Sequence, residues 1–286
     1  MIPNAFDYQR AGSLDEALGL VGRPGSKVIA GGMSLLPLMK LRLASPERLV
    51  DIGRIAELRG VRRLPDGRTE IGALTTYGEL LDSEINAYGL FRDALPDIGD
   101  VQVRNRGTVG GAIAHADPAS DLPAVLLALD GEIVARSRRG ERSIPADGFF
   151  TGSFTTGLAE DEILTAIRIL GPRDDAGSAY EALSQRASGY SIVGVAAVVI
   201  KEGGSAITKA MVALTGAGEA PYRAKAVEAA LVGNEGSAEA IAAAAAHATD
   251  GVRVNSDIHA DREYRTAMAA VYTKRAITRA LVRLSE

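Results

Sequence analysis

The sequence predicts a soluble globular protein that contains both helices and strands and has room for one large or two to three smaller domains. Its 286 residues are 47% hydrophobic and 24% charged, which is an ordinary composition for such a protein. Short apolar segments typical of strands alternate with helix-capping patterns along the chain. Residues 171–177 are polar and rich in turn-forming residues, so they mark the best domain boundary.

Residues 1–56 begin with a capping box in which Ser13 and Glu16 can satisfy backbone amides at the start of a short helix. Further on, Pro37 limits a second helix because proline has no N–H to donate. The pair Gly31–Gly32 lies between a strand and this second helix. The predicted elements are a helix at 17–21, a strand at 27–30, the start of a helix at 33–40 and a strand at 48–52.

Residues 57–170 contain a second capping box, formed by Thr76 and Glu79. Later, the acidic cap Asp121, Pro123 in the first turn and the terminating Gly131 predict a helix over residues 121–131. Residues 122–129 are apolar, so we expect this helix to be buried. The predicted elements are a strand at 70–74, a helix after Thr76, helices at 90–98 and 121–131, and strands at 132–135, 142–144 and 163–169.

The residue pattern changes in the C-terminal part, where two apolar segments are followed by alanine-rich segments with helical patterns. Residues 192–200 and 207–214 are predicted to form adjacent strands, followed by helices at 221–231, 238–248 and 261–284. Large apolar residues recur along the last helix at mostly helical spacing, with alanines between them, which predicts a core-facing stripe. The members of this stripe are Tyr264, Met268, Val271, Ile277, Leu281 and Leu284.

Charge and targeting signals exclude several classes of function. The net charge is −4 and the basic residues are scattered, so the chain lacks the positive surface that nucleic-acid binding needs. Residues 1–10 lack the apolar core of a signal peptide, and the alanine run at 241–246 is too short to cross a bilayer. We therefore expect a cytoplasmic protein without a transmembrane segment.

The absence of cysteine limits the redox chemistry of this chain. Without cysteine it cannot form disulfides, use a thiolate nucleophile or hold an iron–sulfur cluster through thiolates. The only imidazoles are those of His115, His247 and His259, which are too few and too far apart to indicate a histidine metal site. Redox activity would therefore require an organic cofactor.

Two glycine-rich segments, residues 27–35 and 106–121, are the most informative feature. Paired glycines allow backbone amides to approach a ligand such as a pyrophosphate, so two such segments indicate a dinucleotide held from both sides. Neither segment has the Gly-x-Gly-x-x-Gly spacing of a Rossmann domain, and no Walker-A sequence occurs. Tight turns that merely connect strands are the alternative interpretation.

These segments resemble the FAD-binding medium subunit of molybdenum hydroxylases, a family that includes carbon monoxide dehydrogenase medium subunits and the FAD domain of xanthine dehydrogenase. The resemblance extends over nearly the whole chain, including residues 162–169 and 263–268. It implies an α+β fold, with a two-lobed vanillyl-alcohol-oxidase-like FAD-binding domain followed by a smaller C-terminal α/β domain. The implied boundaries are 1–56 for lobe 1, 57–172 for lobe 2 and 176–286 for the C-terminal domain.

The resemblance also implies which residues contact FAD. The first segment would surround the pyrophosphate, the second would form the opposite wall, Asp121 would hold a ribitol or phosphate-side hydroxyl, and an aromatic residue at position 190 would approach the isoalloxazine. At Met33, Ala112 and Gly189 the sequence departs from the family pattern. The implied residues are Lys27, Val28, Ile29, Ala30, Gly31, Gly32, Met33, Ser34, Leu35, Thr108, Gly110, Gly111, Ile113, Asp121, Ile163, Leu164 and Tyr190.

Some of these residues also have ordinary structural interpretations. Asp121 can be a helix cap and Tyr190 a core aromatic. His115 can face the flavin or bond to nearby backbone. Arg104 and Arg106 can be solvated, meet a phosphate or meet a partner subunit.

As a member of this family, the chain would be an electron-transfer subunit without a substrate site. It would receive electrons from the [2Fe–2S] clusters of a small subunit, while a large molybdopterin subunit carries out the substrate chemistry in a dimer of heterotrimers. The external acceptor, a quinone or NAD, stays open. The alternatives are a non-redox scaffold subunit with a degenerate pocket and a free-standing flavin oxidoreductase.

Overall fold

The computed structural model describes residues 2–285, so Met1 and Glu286, at the ends of the predicted first and last domains, lie outside it. Three sheets follow one another along the chain, and each is built from one consecutive stretch of sequence. The mixture of helices and strands agrees with the prediction. A fourth, two-stranded sheet is a small hairpin within the second stretch.

The first stretch forms a parallel three-stranded sheet with a short apolar core. Its elements are β1 (Asp7–Arg10), α1 (Leu14–Val21), β2 (Ser26–Ile29), α2 (Leu35–Lys40) and β3 (Arg48–Asp51). The strand order is β1-β3-β2, and both outer strands pair in parallel with β3. Sequence analysis missed β1 because its residues are all exposed and show no apolar alternation. The apolar face of α1 packs into the core below the sheet.

The second stretch contains an antiparallel five-stranded sheet with the order β4-β5-β10-β6-β7. Helix α7 is buried along its whole length, as its apolar sequence predicts. The elements are β4 (Val61–Arg63), β5 (Thr69–Gly72), α3 (Tyr77–Leu81), α4 (Gly89–Ala94), α5 (Val101–Arg106), α6 (Val109–His115), α7 (Asp121–Ala128), β6 (Glu132–Ser137), β7 (Gly140–Pro145), β8 (Phe150–Gly152), β9 (Thr155–Thr156) and β10 (Ile163–Ile169).

The third stretch forms an antiparallel four-stranded sheet, ordered β11-β12-β13-β14, with helices on one face. The predicted adjacency of residues 192–200 and 207–214 is confirmed by the pairing of β12 with β13. The elements are β11 (Ala176–Ser184), β12 (Ser191–Ile200), β13 (Lys209–Thr215), β14 (Tyr222–Arg223), α8 (Lys225–Leu231), α9 (Ala238–Ala245) and α10 (Arg262–Leu284).

Several predicted elements differ from the observed ones for local reasons. The helix predicted at 90–98 ends at Ala94 and continues as a 3-10 turn that contains Pro96. The helix predicted at 221–231 begins only at Lys225, because Tyr222–Arg223 pairs with β13. The predicted boundary segment, residues 171–177, overlaps the start of β11 at residues 176–177. Strand β11 itself was not predicted.

The predicted stripe on the last helix is partly wrong. Tyr264 and Val271 are exposed, whereas Ile277 is fully buried. The surface that packs against β11 and β12 consists mainly of Ala269, Ala276 and Ala280, together with Ile277. Small residues at these positions allow the helix to approach the sheet closely: a Cβ on Gly177 of β11 would lie 1.9 Å from the carbonyl oxygen of Ala280.

The second and third stretches share one hydrophobic core. Alternate residues of β12 point to opposite faces of the sheet, so Val195 and Ala197 contact the helices of the third stretch, while Ala196 and Val198 join the core around α4 and α7. The C-terminal sheet therefore packs directly on the helical layer that follows the second glycine segment. This packing brings the turn between β11 and β12 close to residues 117–121.

Candidate dinucleotide-binding site

The first glycine segment is a loop that links β2 to α2. Gly31 touches the second segment so closely that an added Cβ would lie 1.9 Å from the carbonyl oxygen of Arg106. Gly32 has φ +78°, a left-handed conformation that favours glycine. The guanidinium of Arg106 also reaches the carbonyl oxygen of Gly31, at 3.5 Å. The two segments that the sequence singles out are therefore in direct backbone contact.

The backbone amides of residues 31–35 are open. In the described part of the chain, none of them donates to a protein acceptor, although Leu36 and Leu38 further along do so. The hydroxyl of Ser34 makes no capping bond either. Lys27, Val28, Ile29, Ala30, Met33 and Leu35 are exposed or half-buried around this loop. A run of unpaired amides with a hydroxyl beside them is a concave site for an anion.

Within the second segment, the glycine pair lies in the first turn of helix α6, so it is part of a helix and not of a loop. The contact of this segment with FAD stays a prediction. Thr108 caps the helix by accepting from the amide of Gly111 at 3.1 Å. The amide of Val109 donates to Thr75, and the amide of Gly110 donates to Ala73 at 2.8 Å. The first-turn amides are therefore already satisfied within the protein.

Gly110 of the second segment serves packing. A Cβ on Gly110 would lie 2.5 Å from the Cβ of Ala73, so only glycine allows α6 to lie against the chain beyond β5. Thr108, Gly110 and Ile113 are buried, and Gly111 is exposed. The departure at Ala112 is a half-buried residue that packs on the same core.

Two further predicted residues, Ile163 and Leu164, lie at the start of β10 and are buried. Ile163 belongs to the core beneath the first segment, where Val28 and Ala30 pack against the same cluster. Leu164 belongs to the core of the second stretch. Ile163 thus supports the floor of the loop, and a direct contact with a cofactor stays a prediction for both residues.

Asp121 is the first residue of α7, and Ser120 occupies the N-cap position. The carboxylate is buried, and its Oδ1 accepts from the hydroxyl of Tyr180 and, at 2.6 Å, from the hydroxyl of Ser191. Burial raises the pKa of Asp121 to about 6, against the hydrogen bonds from Ser191 and Tyr180 that lower it. Both described side-chain bonds go to Oδ1, so Oδ2 can accept from another donor.

Tyr190 lies on the turn between β11 and β12, and its side chain is about half exposed, at 47%. The turn is closed by the amide of Gln185, which donates to the Tyr190 carbonyl at 2.8 Å. Burial raises the pKa of Tyr190, and the charges of Asp117 and Asp121 raise it further. The tyrosine therefore faces the acidic segment 117–121, and the interpretation as a fully buried core aromatic is wrong.

His115 ends helix α6, and its ring lies against Phe154, with the ring centroids 5.0 Å apart. Burial lowers its pKa, Asp117 opposes this shift and Lys27 adds to it. The imidazole is therefore more easily neutral than usual. Its electrostatic contact with Lys27 shows that the C-terminal end of α6 lies near the start of the first segment.

The sequence analysis missed Tyr180 and Ser191, which hold Asp121 from the C-terminal sheet. The β11 strand that carries Tyr180 was not predicted, and no local pattern reveals a partner 59 residues away from Asp121. In residues 2–285 no group of three or more acidic, histidine or cysteine side chains could hold a metal ion. Within the same range, no helix has the length and apolarity of a membrane span.

Comparisons with known proteins match the whole chain. The family model described as the FAD binding domain in molybdopterin dehydrogenase matches residues 4–170, and the carbon monoxide dehydrogenase flavoprotein C-terminal domain matches residues 178–280. The carbon monoxide dehydrogenase medium chain of Hydrogenophaga pseudoflava is 41% identical over 99% of both chains. The glyceraldehyde dehydrogenase medium chain of Sulfolobus acidocaldarius is 38% identical over 96% of this chain and 98% of its own.

Solved structures give the same result. The carbon monoxide dehydrogenase from Hydrogenophaga pseudoflava that lacks the Mo-pyranopterin moiety matches with a TM-score of 0.95 at 41% identity, covering 99% of each chain. The quinoline 2-oxidoreductase of Pseudomonas putida 86 matches with a TM-score of 0.92 at 30% identity over the full length of both. These matches confirm the predicted α+β architecture of an FAD-binding domain followed by a C-terminal domain.

Proposed function

This chain belongs to the FAD-binding medium subunits of the molybdenum hydroxylases, and we propose that it transfers electrons from an iron–sulfur subunit to an external acceptor through its FAD. The cofactor FAD and the role as flavoprotein subunit of a molybdenum-containing oxidoreductase follow from membership of the family. The electron route and the partner chains are the proposal. Its support comes from the residues around the first glycine segment.

The open amides of residues 31–35 fit the FAD pyrophosphate. Phosphate oxygens act only as hydrogen-bond acceptors, so they need donors. This loop offers backbone amides and the Ser34 hydroxyl, and no protein acceptor in the described chain already uses them. Lys27, at the start of the segment, adds a positive charge that acts on His115 at the end of α6 and lowers its pKa. This set of unpaired donors is the single observation that carries the proposal.

The remaining residues fit the other parts of the cofactor. Oδ2 of Asp121 can accept from a ribitol hydroxyl, while Tyr180 and Ser191 fix the carboxylate through Oδ1. The half-exposed ring of Tyr190 offers an apolar face that would shield the isoalloxazine from water. When bound, FAD supplies the chemistry of a carrier that exchanges electrons one or two at a time.

The substrate reaction is assigned to another polypeptide. This chain has no cysteine, the residue that holds [2Fe–2S] clusters in most proteins. We therefore propose a small [2Fe–2S] subunit as the electron donor and a large molybdopterin subunit as the site of substrate oxidation. The acceptor is a quinone or NAD. A dimer of heterotrimers and a cytoplasmic location stay predictions.

A visible absorption spectrum tests the proposal. The purified chain should show flavin absorbance or take up added FAD to one equivalent, and reduced small subunit should then bleach it. Colourless protein that does not take up FAD would support the degenerate scaffold instead. Bleaching by an organic substrate in the absence of partner chains would support a free-standing flavin oxidoreductase.

A further inference from the structure

Arg104, for which the sequence left three interpretations open, makes a specific set of internal contacts. Its side chain is half-buried on α5, and Nη1 lies 2.9, 3.2 and 2.8 Å from the carbonyl oxygens of Pro96, Ile98 and Gly99. In the described part of the chain, its hydrogen bonds all go to backbone carbonyl oxygens and none to a carboxylate. At least one nitrogen of the guanidinium, Nη1, is therefore engaged by the protein itself.

The loop of residues 96–99 begins within a 3-10 turn and packs on the core through Ile98, but it has few backbone hydrogen bonds of its own. In the described part of the chain, its carbonyls at 96, 98 and 99 accept from no donor other than Arg104. The one backbone bond within it, from the amide of Ile98 to Leu95, is long at 3.3 Å. Gly99 is left-handed, at φ +55°. Hydrogen bonds from a charged donor are stronger than neutral ones, so Arg104 stabilises this conformation.

The same loop supports the turn that carries Tyr190. Gly189 is left-handed, at φ +75°, and a Cβ added to it would lie 3.6 Å from the carbonyl oxygen of Asp97 and 3.7 Å from the amide nitrogen of Gly99. The left-handed φ favours glycine at position 189, where the family often has aspartate, while the added Cβ would stand only at van der Waals distance from the loop. The loop therefore lies directly beside the residue next to Tyr190.

We propose that Arg104 is a positioning residue that holds residues 96–99 against the Gly189–Tyr190 turn and thereby fixes the Tyr190 ring beside the flavin. This inference rests on the proposed function, because it needs FAD next to Tyr190. Without the guanidinium, the loop carbonyls turn to water, and the turn keeps its internal hydrogen bonds, such as that from the Gln185 amide to the Tyr190 carbonyl, but loses a fixed neighbour. FAD binding then weakens because the Tyr190 ring is no longer fixed, while residues 31–35 are unaffected.

A double-mutant cycle on the full chain tests this route. Arg104→Met removes every donor but keeps a long side chain, and it is measured alone and combined with Tyr190→Ala, using FAD fluorescence titration. We expect Arg104→Met to raise the Kd for FAD about tenfold with Tyr190 present and less than about twofold in the Tyr190→Ala background. Arg92→Met, on the neighbouring helix α4, is the matched control and should leave the Kd unchanged.

Equal fold-changes in both backgrounds would overturn the proposal, since Arg104 would then act independently of Tyr190. Arg104→Lys retains a charged donor and should restore most of the affinity. If the methionine variant fails to fold, the cycle is run with Arg104→Gln, whose shorter, uncharged side chain should still give coupling. Wild-type chain that binds no FAD would instead refute the proposed function. The two failures are therefore distinguishable.

Discussion

Residues 31–35 and 107–111 both contain a glycine pair, but their backbone amides face different environments. The first segment keeps its amides free of protein acceptors, whereas the second donates its amides to Ala73, Thr75 and the hydroxyl of Thr108. The glycines differ accordingly: Gly32 allows a left-handed turn in an open loop, and Gly110 allows a helix to contact Ala73. Similar sequence thus leaves the backbone amides open in one segment and satisfied by protein acceptors in the other.

The comparison teaches that a glycine pair does not by itself mark a phosphate site. What distinguishes the segments is whether nearby residues satisfy the amides first. Thr108 supplies a side-chain acceptor for its own helix, while Ser34 has its hydroxyl free of any capping bond. A small hydroxyl residue near a glycine pair can therefore either cap the helix that follows or stay free to donate to a ligand.

Alanine at Gly31 should give the largest effect on FAD binding. The added Cβ would lie 1.9 Å from the carbonyl oxygen of Arg106, so the two segments must separate and the open amides must move. We expect the Kd for FAD to rise about a hundredfold. Fluorescence titration measures this, and Gly204→Ala, where nothing lies within 4 Å of the added Cβ, is the control.

Alanine at Gly110 should instead act on stability. Its Cβ would meet Ala73 at 2.5 Å within a buried contact, so we expect the free energy of unfolding to fall by about 2–3 kcal/mol. Urea denaturation measures this at saturating FAD. If Gly110→Ala lowered FAD affinity without affecting stability, the second segment would be a ligand loop after all.

The far end of the second segment should show its structural role through pH. Burial raises the pKa of Asp121 to about 6, from 3.8, so the folded chain holds this proton more tightly than the unfolded chain. The stabilisation is complete below about pH 4 and is lost as the pH rises to about 6. Asp121→Asn keeps an oxygen for Tyr180 and Ser191 but does not titrate.

We therefore expect the wild-type chain to lose about 2–3 kcal/mol of unfolding free energy relative to Asp121→Asn between pH 4 and pH 7. Urea denaturation across this range, at one fixed FAD concentration, gives the difference. A constant difference at all pH values would show that Asp121 has an ordinary pKa in the folded protein.

Much of the fold could be predicted because local signals agree with it. The capping box at Thr76 forms as its spacing requires, and the buried helix α7 has the apolar sequence expected of it. At Ser13 only half of the predicted box forms, because Glu16 accepts from the amide of Gly12. Elements without such signals were missed: β1 has only exposed side chains, and β11 has no pattern that identifies it. Strands of this kind form because a neighbouring strand satisfies their backbone.

The site could be predicted only as a set of residues, because their roles depend on contacts distant in sequence. Nothing local shows that the amide of Gly110 finds Ala73, or that Asp121 meets Tyr180 from another sheet. Likewise, the glycine at position 189 departs from the family pattern, and its reason, a left-handed φ, becomes visible only in the folded chain. The sequence shows where the glycine segments lie, but only the folded structure shows which of their hydrogen-bonding groups already have a protein partner.

The smallest expected effects come from removing the hydroxyl of Ser34 in the first segment and that of Thr108 in the second. Ser34→Ala removes a free donor beside the open amides and should raise the Kd for FAD about tenfold without changing stability, because the hydroxyl bonds to nothing in the described protein. Thr108→Val removes the cap of α6 and should cost about 1 kcal/mol of stability with little change in Kd. Fluorescence titration and urea denaturation are applied to both variants. Equal losses of FAD affinity would mean that both hydroxyls face the cofactor, and the division between a binding segment and a packing segment would then be wrong.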